Sequence, residues 1–318
     1  MSPREAIGVD LGGTKMAVGV VDSEQHVHFE GNESSIGLTE DQLVVDLGRE
    51  LEEAKAARPD VLCAGLGIPA TIDHDRGVAI QAVNLEITDV PLRDLMTKQL
   101  GLPVYMDNDA NVAALAEFLF GAGRGARNVV LLTIGTGIGG GLILDGEIYR
   151  GSIGSGAELG HIVIVEDGLP CQGNCPNHGC VETYASGTAI AREGKAAAEH
   201  DPDSALGKAL AEGPIVGKTV TQLAMKGDPA SIEVVAQAGR HLGVALASLA
   251  NIFDPDVFVI GGGVSAVGDL LLDPARQELR TRALPPMNKA PVQLAQLGPE
   301  AGMIGAAAMA LIELDKES

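Results

Sequence analysis

Tryptophan is absent from this chain and aromatic residues make up only 3% of it, so its core must be built from aliphatic side chains. Positive charge is scarce as well: 22 Lys and Arg stand against 43 Asp and Glu, a formal net charge of −21. Affinity for nucleic acid comes mainly from Lys and Arg at the phosphates, so this balance argues against a nucleic-acid partner and disfavours anionic membrane surfaces. No apolar run approaches the roughly 20 residues of a membrane span. The chain opens Met1-Ser-Pro-Arg-Glu5 without a basic stretch followed by an apolar one, so nothing directs it to an oxidising compartment. The expectation is a soluble cytoplasmic protein whose four cysteines are thiols rather than disulfides.

What is present is aliphatic residues and glycine. Hydrophobic residues make up 46% of the 318 positions and glycines number 42, which points to a compact α/β protein rich in tight turns, as one large domain or two ordinary ones. Two segments look alike. Ile7–Leu11, Gly12-Gly-Thr-Lys15, Met16–Val21 and Asp22-Ser23 are echoed by Val129–Ile134, Gly135–Gly139, Gly140–Leu144 and Asp145-Gly146. Each is an apolar strand, a Gly/Thr turn, a second strand and an acidic tight turn leading to a third. A meander repeated about 120 residues on suggests two related halves. Gly/Thr turns leave backbone N–H groups open, and such nests bind phosphate; two facing ones would clamp a polyphosphate between domains.

The rest alternates in α/β fashion. Residues 41–58 read as an amphipathic helix, 61–68 as a strand ending at Pro69, 102–106 as a short strand and 111–120 as an Ala-rich helix. Residues 231–253 read as a long helix, 257–260 as a buried strand, and a last helix begins near Gly302; residues 201–230 are polar and read as loop. Two motifs mislead. Gly135, Gly137 and Gly140 satisfy G-x-G-x-x-G, but a strand rather than the required helix follows. Gly213 to Thr219 resembles a Walker loop with one residue too few between its glycines.

Three places carry chemistry. Asp10, ahead of the first glycine turn, is placed to hold Mg²⁺ beside phosphate, or is a turn residue. Thr14 and Thr136 occupy matching turn positions, and Lys15 adds a charge. Asp107-Asn-Asp-Ala-Asn111 lies at a strand-to-helix junction, where acids and amides usually cap the helix, although a carboxylate there can also act as general base toward a sugar hydroxyl. Lastly, His161, Cys171, Cys175 and Cys180 lie between Glu158 and Glu182. Three thiolates and one imidazole are a complete tetrahedral set for zinc, with no position left for water. Such a metal shapes a loop, and the flanking acids become the working groups. Buried free thiols are the alternative, and Cys63, alone in an apolar run, reads as a core residue.

Together these segments resemble the ROK family (repressors, open reading frames, sugar kinases). The matching pieces are Asp10-Leu-Gly-Gly-Thr-Lys15, Gly67-Ile-Pro-Ala70, Asn108-Asp-Ala-Asn111, Gly135-Thr-Gly-Ile-Gly-Gly-Gly141, Glu158-Leu-Gly-His161, the cysteines ending at Glu182, and Ile260-Gly-Gly-Gly263, in the family order over nearly the whole chain. The resemblance is strongest to the family's bacterial glucokinases. It implies a two-domain, actin-like, ribonuclease-H-like ATPase fold with duplicated β-meander cores and an interdomain cleft. The smaller N-terminal domain would span 1–112, completed by the C-terminal helix 302–318, and a larger domain, 113–301, would carry the zinc loop. The resemblance implies ATP with Mg²⁺, one structural Zn²⁺ per chain, glucose or a related hexose, and a homodimer or homotetramer. It makes Asp109 the catalytic base, and Asn84, Asn108, Glu158, His161 and Glu182 sugar contacts, with His161 bridging zinc and sugar through its two nitrogens. Asp10, Gly12, Gly13, Thr14, Lys15, Gly135, Thr136 and Gly137 match the phosphate and Mg²⁺ region, and Gly261, Gly262 and Gly263 the adenosine side.

The chain departs from the family pattern in two places. The usual Cys-x-Cys-Gly-x-x-Gly-Cys-x-Glu is altered by a three-residue first gap and by Pro176. The tryptophan common after the Asn-Leu pair is missing, with Ile87 nearby. Rival readings are another ROK kinase (fructose, N-acetylglucosamine, N-acetylmannosamine or allose), a polyphosphate-dependent glucokinase, a sugar-sensing repressor, or a zinc-stabilised binding module without chemistry. Repressors of the family carry an N-terminal helix-turn-helix, whereas six residues precede the first strand here.

Overall fold

The computed structural model describes residues 3–12, 15–82, 85 and 87–317. The chain opens with three antiparallel strands, β1 (Glu5–Leu11), β2 (Lys15–Asp22) and β3 (Val27–Ser34). Helix α1 (Glu40–Ala57) begins at Thr39 with a reciprocal capping box to Gln42 and buries Leu43, Leu47 and Leu51 at helical spacing. After it come β4 (Ala64–Ile68), a small sheet of β5 (Ala70–Asp73), β6 (Val78–Ala82) and β7 (Thr88–Val90), then α2 (Leu92–Leu100), β8 (Val104–Asn108) and α3 (Asp109–Phe120). The second meander is β9 (Val129–Ile134), β10 (Ile138–Leu144) and β11 (Glu147–Ile148). Five helices follow, α4 (Glu182–Ala185), α5 (Gly187–His200), α6 (Ala205–Glu212), α7 (Gly217–Met225) and α8 (Pro229–Phe253). The chain ends with β12 (Val257–Gly261), α9 (Asp269–Arg282), β13 (Val292–Leu294) and α10 (Ala301–Lys316).

The two large sheets have the same topology. One runs β3-β2-β1-β4-β8 and the other β11-β10-β9-β12-β13: a meander extended at its first strand by two further strands, parallel to it and to each other. The duplicated core expected from the repeat is therefore present.

Two compact units are formed, one from residues 1–125, 141–157 and 296–318, the other from 126–140 and 158–295. The first unit includes α3, segment 141–157 and α10. Small residues let α10 pack closely on α3 and β4. A side chain on Gly305 of α10 would meet the Val112 carbonyl of α3 at 1.8 Å, and one on Gly65 of β4 would meet the Ala306 carbonyl at 1.9 Å, so α10 lies flush on both. The first sheet is covered on both faces. Ile7, Val9 and Leu11 pack with Leu43, Leu47 and Met96, whereas Ala6, Val21 and Cys63 pack with Met303 and Ile304. This alternation follows the two-residue period of a strand. Among the described residues, the largest fully buried side chains are Ile, Leu and Met with a single aromatic, Phe258.

Residues 201–230, expected to be loop, hold α6 and α7 instead. Ser204 caps α6 by accepting the Gly207 N–H, and Leu206, Val220 and Ala224 are buried, so tertiary burial stabilises helices too short to announce themselves. No helix among the described residues is long and apolar enough to cross a membrane.

Candidate active site

In the first unit, β1, β4 and β8 are parallel, and their register sets Asp10 beside Gly67 and Gly67 beside Asp107. The acids thus gather at the carboxyl ends of neighbouring parallel strands, where open α/β sheets hold their ligands. The turn after Asp10 is closed by the Gly12 N–H donating to the Lys15 carbonyl at 2.8 Å, and the Ser35 hydroxyl donates to the Gly12 carbonyl at 2.6 Å. Lys15 is exposed and starts β2. Gly13, Thr14 and Asn84 lie outside the described residues.

Asn108 is the N-cap of α3: its side-chain oxygen accepts the Ala110 and Asn111 N–H groups. The capping role expected from spacing is therefore real, and it leaves the amide nitrogen as Asn108's donor toward a ligand. Asp109 opens the helix, one oxygen accepting the Ala110 N–H at 2.9 Å. Burial first, and the Asp109 charge second, push the Asp10 pKa up to about 6, with Lys15 opposing. Two acids that repel across a half-buried site form a locus that a divalent cation relieves.

In the second unit, β12 runs parallel to β9 with Gly261 level with Thr133, so turns 135–137 and 261–263 share one sheet end. A side chain on Gly262 would meet Ile134 backbone atoms at 2.5 Å, and its φ of +83° also favours glycine. The Gly135 turn is braced from α5, where the Gly187 N–H donates to the Gly135 carbonyl at 2.8 Å and the Thr188 hydroxyl donates to the Thr136 carbonyl at 2.8 Å.

The same unit brings His161, Cys171, Cys175 and Cys180 together, one ligand atom from each lying within 4.8 Å of all the others. Cys171 belongs to the set in spite of its altered spacing: its Sγ is 3.5 Å from His161 Nδ1, and Cys175 and Cys180 Sγ are 4.0 Å apart. Zn–S bonds of about 2.3 Å imply tetrahedral edges near 3.8 Å, so this donor set fits zinc. None of the four cysteines is in a disulfide, and Cys63 is buried in the core as expected. The other nitrogen of His161, Nε2, is 4.0 Å from a Glu158 carboxylate oxygen.

Several residues at these sites give no signal in the sequence. Asp107 reads only as one more cap residue, yet it is fully buried and paired with Arg150, whose Nε donates at 2.6 Å. Gly187 and Thr188 brace the Gly135 turn without forming a motif. Both follow directly on Ser186, which caps α5 by accepting the Ala189 N–H.

The ROK family model matches residues 6–313. The glucokinase of Streptomyces coelicolor is 39% identical over 312 residues, covering 96% of this chain and 96% of that protein. The glucokinase of Halalkalibacterium halodurans is 38% identical, over 96% of this chain and 94% of its own. Among solved structures, a ROK family glucokinase from Streptomyces griseus in complex with glucose and AMPPNP superposes with a TM-score of 0.84 at 40% identity, covering 97% of this chain and 99% of that one. With the family's motifs in order along a duplicated fold of this topology, the chain belongs to the ROK family.

Proposed function

We propose that the protein is an ATP-dependent glucokinase, transferring the γ-phosphoryl group of ATP to the 6-hydroxyl of glucose. The observation that carries this reading is near-full-length similarity, at 40% identity, to a glucokinase crystallised with glucose and a nucleotide. The local geometry supports it. Asp109 stands at the start of α3 with its carboxylate beside the negative charge of Asp10, a setting that keeps a base ready to accept the proton of the attacking hydroxyl. Asn84, Asn108, Glu158, His161 and Glu182 hold the sugar hydroxyls. In the first unit Asp10 and the segment Gly12 to Lys15 take phosphate and its metal, and in the second Gly135 to Gly137 take phosphate and Gly261 to Gly263 the adenosine. Mg²⁺, held through Asp10, supplies charge neutralisation at the phosphates when bound. Phosphoryl transfer asks for little covalent chemistry from the protein, so these residues act by positioning and electrostatics.

Zinc would be held by His161, Cys171, Cys175 and Cys180, and it supplies shape to the loop that presents Glu158 and Glu182. We place the enzyme in the cytoplasm, where a reducing environment keeps these thiols available to metal, and we expect a homodimer or homotetramer, which light scattering in solution tests.

The deciding experiment is ADP release from Mg-ATP with glucose, mannose, fructose, N-acetylglucosamine and N-acetylmannosamine, repeated with polyphosphate as donor. Glucose should give the highest kcat/KM. A higher value for another sugar moves the assignment to that sugar, and silence with every sugar and both donors overturns the kinase reading.

A further inference from the structure

Asp107, two residues before the proposed base, is fully buried and ionically paired. One oxygen accepts both the Asn108 N–H and the Asn111 side-chain amide at 2.8 Å, and the other accepts Arg150 Nε at 2.6 Å. Arg150 in turn reaches Glu313 on α10 at 3.3 Å. This network encloses the Asn108–Asp109 turn from behind: Asp107 grips the turn's first N–H and the side chain one helical step on, and Arg150 holds Asp107.

Stability alone does not account for the pair. Asp107 is buried and Arg150 partly so, replacing a buried ion pair with apolar residues is often neutral or stabilising, and the surrounding sheet and helices are already aliphatic. Among the described residues no Lys or other Arg pairs with Asp107. His74 Nε2 lies 3.9 Å from Asp107 and has no hydrogen-bond partner among the described residues, and burial holds the His74 pKa below its ordinary value, against the pull of Asp107.

We propose that Arg150 is a positioning residue for phosphoryl transfer: through Asp107 it fixes the orientation of the turn that carries Asp109. This rests on the reading of Asp109 as the base. A misplacement of about 1 Å in a reacting group costs on the order of 100-fold in rate, so a pair that never touches substrate exerts its effect on kcat.

Arg150 lines a cavity of about 430 Å³ together with His74, Arg93, Tyr105 and Glu313, which gives a small cation a way to its position. The test is therefore turnover of Arg150→Ala with and without sub-denaturing guanidinium ion, alongside Arg150→Lys, Asp107→Asn and Asp109→Asn, and equilibrium glucose binding for each. Arg150→Ala should lose about tenfold or more in kcat, with KM for ATP and glucose affinity changing by less than about threefold. Guanidinium should restore part of that loss, and Arg150→Lys, which keeps the charge but not the fork, should fall between. Asp107→Asn should match Arg150→Ala, and the double variant should be no slower than either.

Normal kcat in Arg150→Ala, or a loss that guanidinium leaves untouched, overturns the proposal. If Arg150→Ala does not fold, Asp107→Asn decides, and normal kcat there overturns it equally. If Asp109→Asn turns over normally, the base reading fails and this proposal with it; if that variant is dead while Arg150→Ala is normal, only the present inference falls.

Discussion

The Glu182 carboxylate accepts the Ile138 N–H at 2.7 Å and fills the space that a side chain on Gly137 would need. The acid that ends the cysteine loop is thereby pinned to the turn after β9, so an expected sugar contact and an expected phosphate turn share one hydrogen bond. Glycine at 137 is what permits it.

Gly137→Ala tests this link. Its Cβ would fall 2.3 Å from the nearer Glu182 oxygen, so the carboxylate must swing away and release the Ile138 N–H. A hydrogen bond to a charged group contributes about 1.5–3 kcal/mol, which corresponds to a loss of roughly tenfold or more in kcat/KM for glucose. Steady-state kinetics beside a thermal melt measures it. An unchanged kcat/KM would mean that Glu182 works without this anchor.

Asp109→Asn should separate chemistry from binding. The amide keeps the shape at the helix start, including an oxygen able to accept the Ala110 N–H seen at 2.9 Å, but it cannot take up a proton. General-base catalysis contributes about 10²- to 10⁴-fold, so kcat should fall by that order while calorimetric glucose affinity stays within a factor of about three. Near-normal kcat would remove Asp109 from the mechanism.

Asp10 gives stability a pH dependence of definite sign. Its pKa in the folded protein is raised to about 6 from 3.8, by burial and then by Asp109. The native state therefore binds this proton more tightly than the unfolded chain, and stability falls as pH rises from about 4 through about 6. At 1.36 kcal/mol per unit, the penalty above that window is on the order of 2–3 kcal/mol. In metal-free, nucleotide-free buffer, Asp10→Asn should melt higher than the parent at pH 8, with the advantage roughly halved at pH 5. Its turnover with Mg-ATP should fall tenfold or more. A variant that melts no higher at pH 8 would show that the carboxylate is accommodated without strain.

Much of this was legible in the sequence, because its strongest signals are local. The helix at 41–58 is observed at Glu40–Ala57, and the long helix at 231–253 starts two residues earlier, at Pro229, where Asp228 caps it by accepting the Ser231 N–H. The helix expected from Asn111 begins at Asp109, since the cap is Asn108. Short elements escaped: α6 and α7 span eight and nine residues, too few turns for a clear apolar period, with Gly213-Pro214 between them reading as loop. Contacts distant in sequence were invisible in principle. Nothing near Arg150 announces that Asp107, 43 positions earlier, is its partner, and nothing near Thr188 announces its bond to Thr136. The cysteine cluster is intermediate: the spacing departs from the family's, and only the fold of the loop brings Cys171 to His161.

That loop makes the zinc prediction sharp, because His161 offers its two nitrogens to different partners. Nδ1 faces Cys171 at 3.5 Å and Nε2 faces Glu158 at 4.0 Å. A metal held through Nδ1 fixes the ring plane, and the ring plane sets where Nε2 points. Elemental analysis should find about one zinc per chain, tightly held because all four ligands are supplied. Cys180→Ser removes a buried ligand, so zinc content and melting temperature should both drop. The kinetic consequence is asymmetric. KM for glucose should rise about tenfold, the usual lower bound for losing an orienting partner of a metal site, while KM for ATP moves less, since β9, β12 and α5 also hold turns 135–137 and 261–263 and the Glu182–Ile138 bond ties the first of them to the metal loop. Equal changes in the two KM values would mean that zinc supports the whole unit instead of the sugar-facing loop, and a metal-free protein with unaltered kinetics would remove zinc from the account altogether.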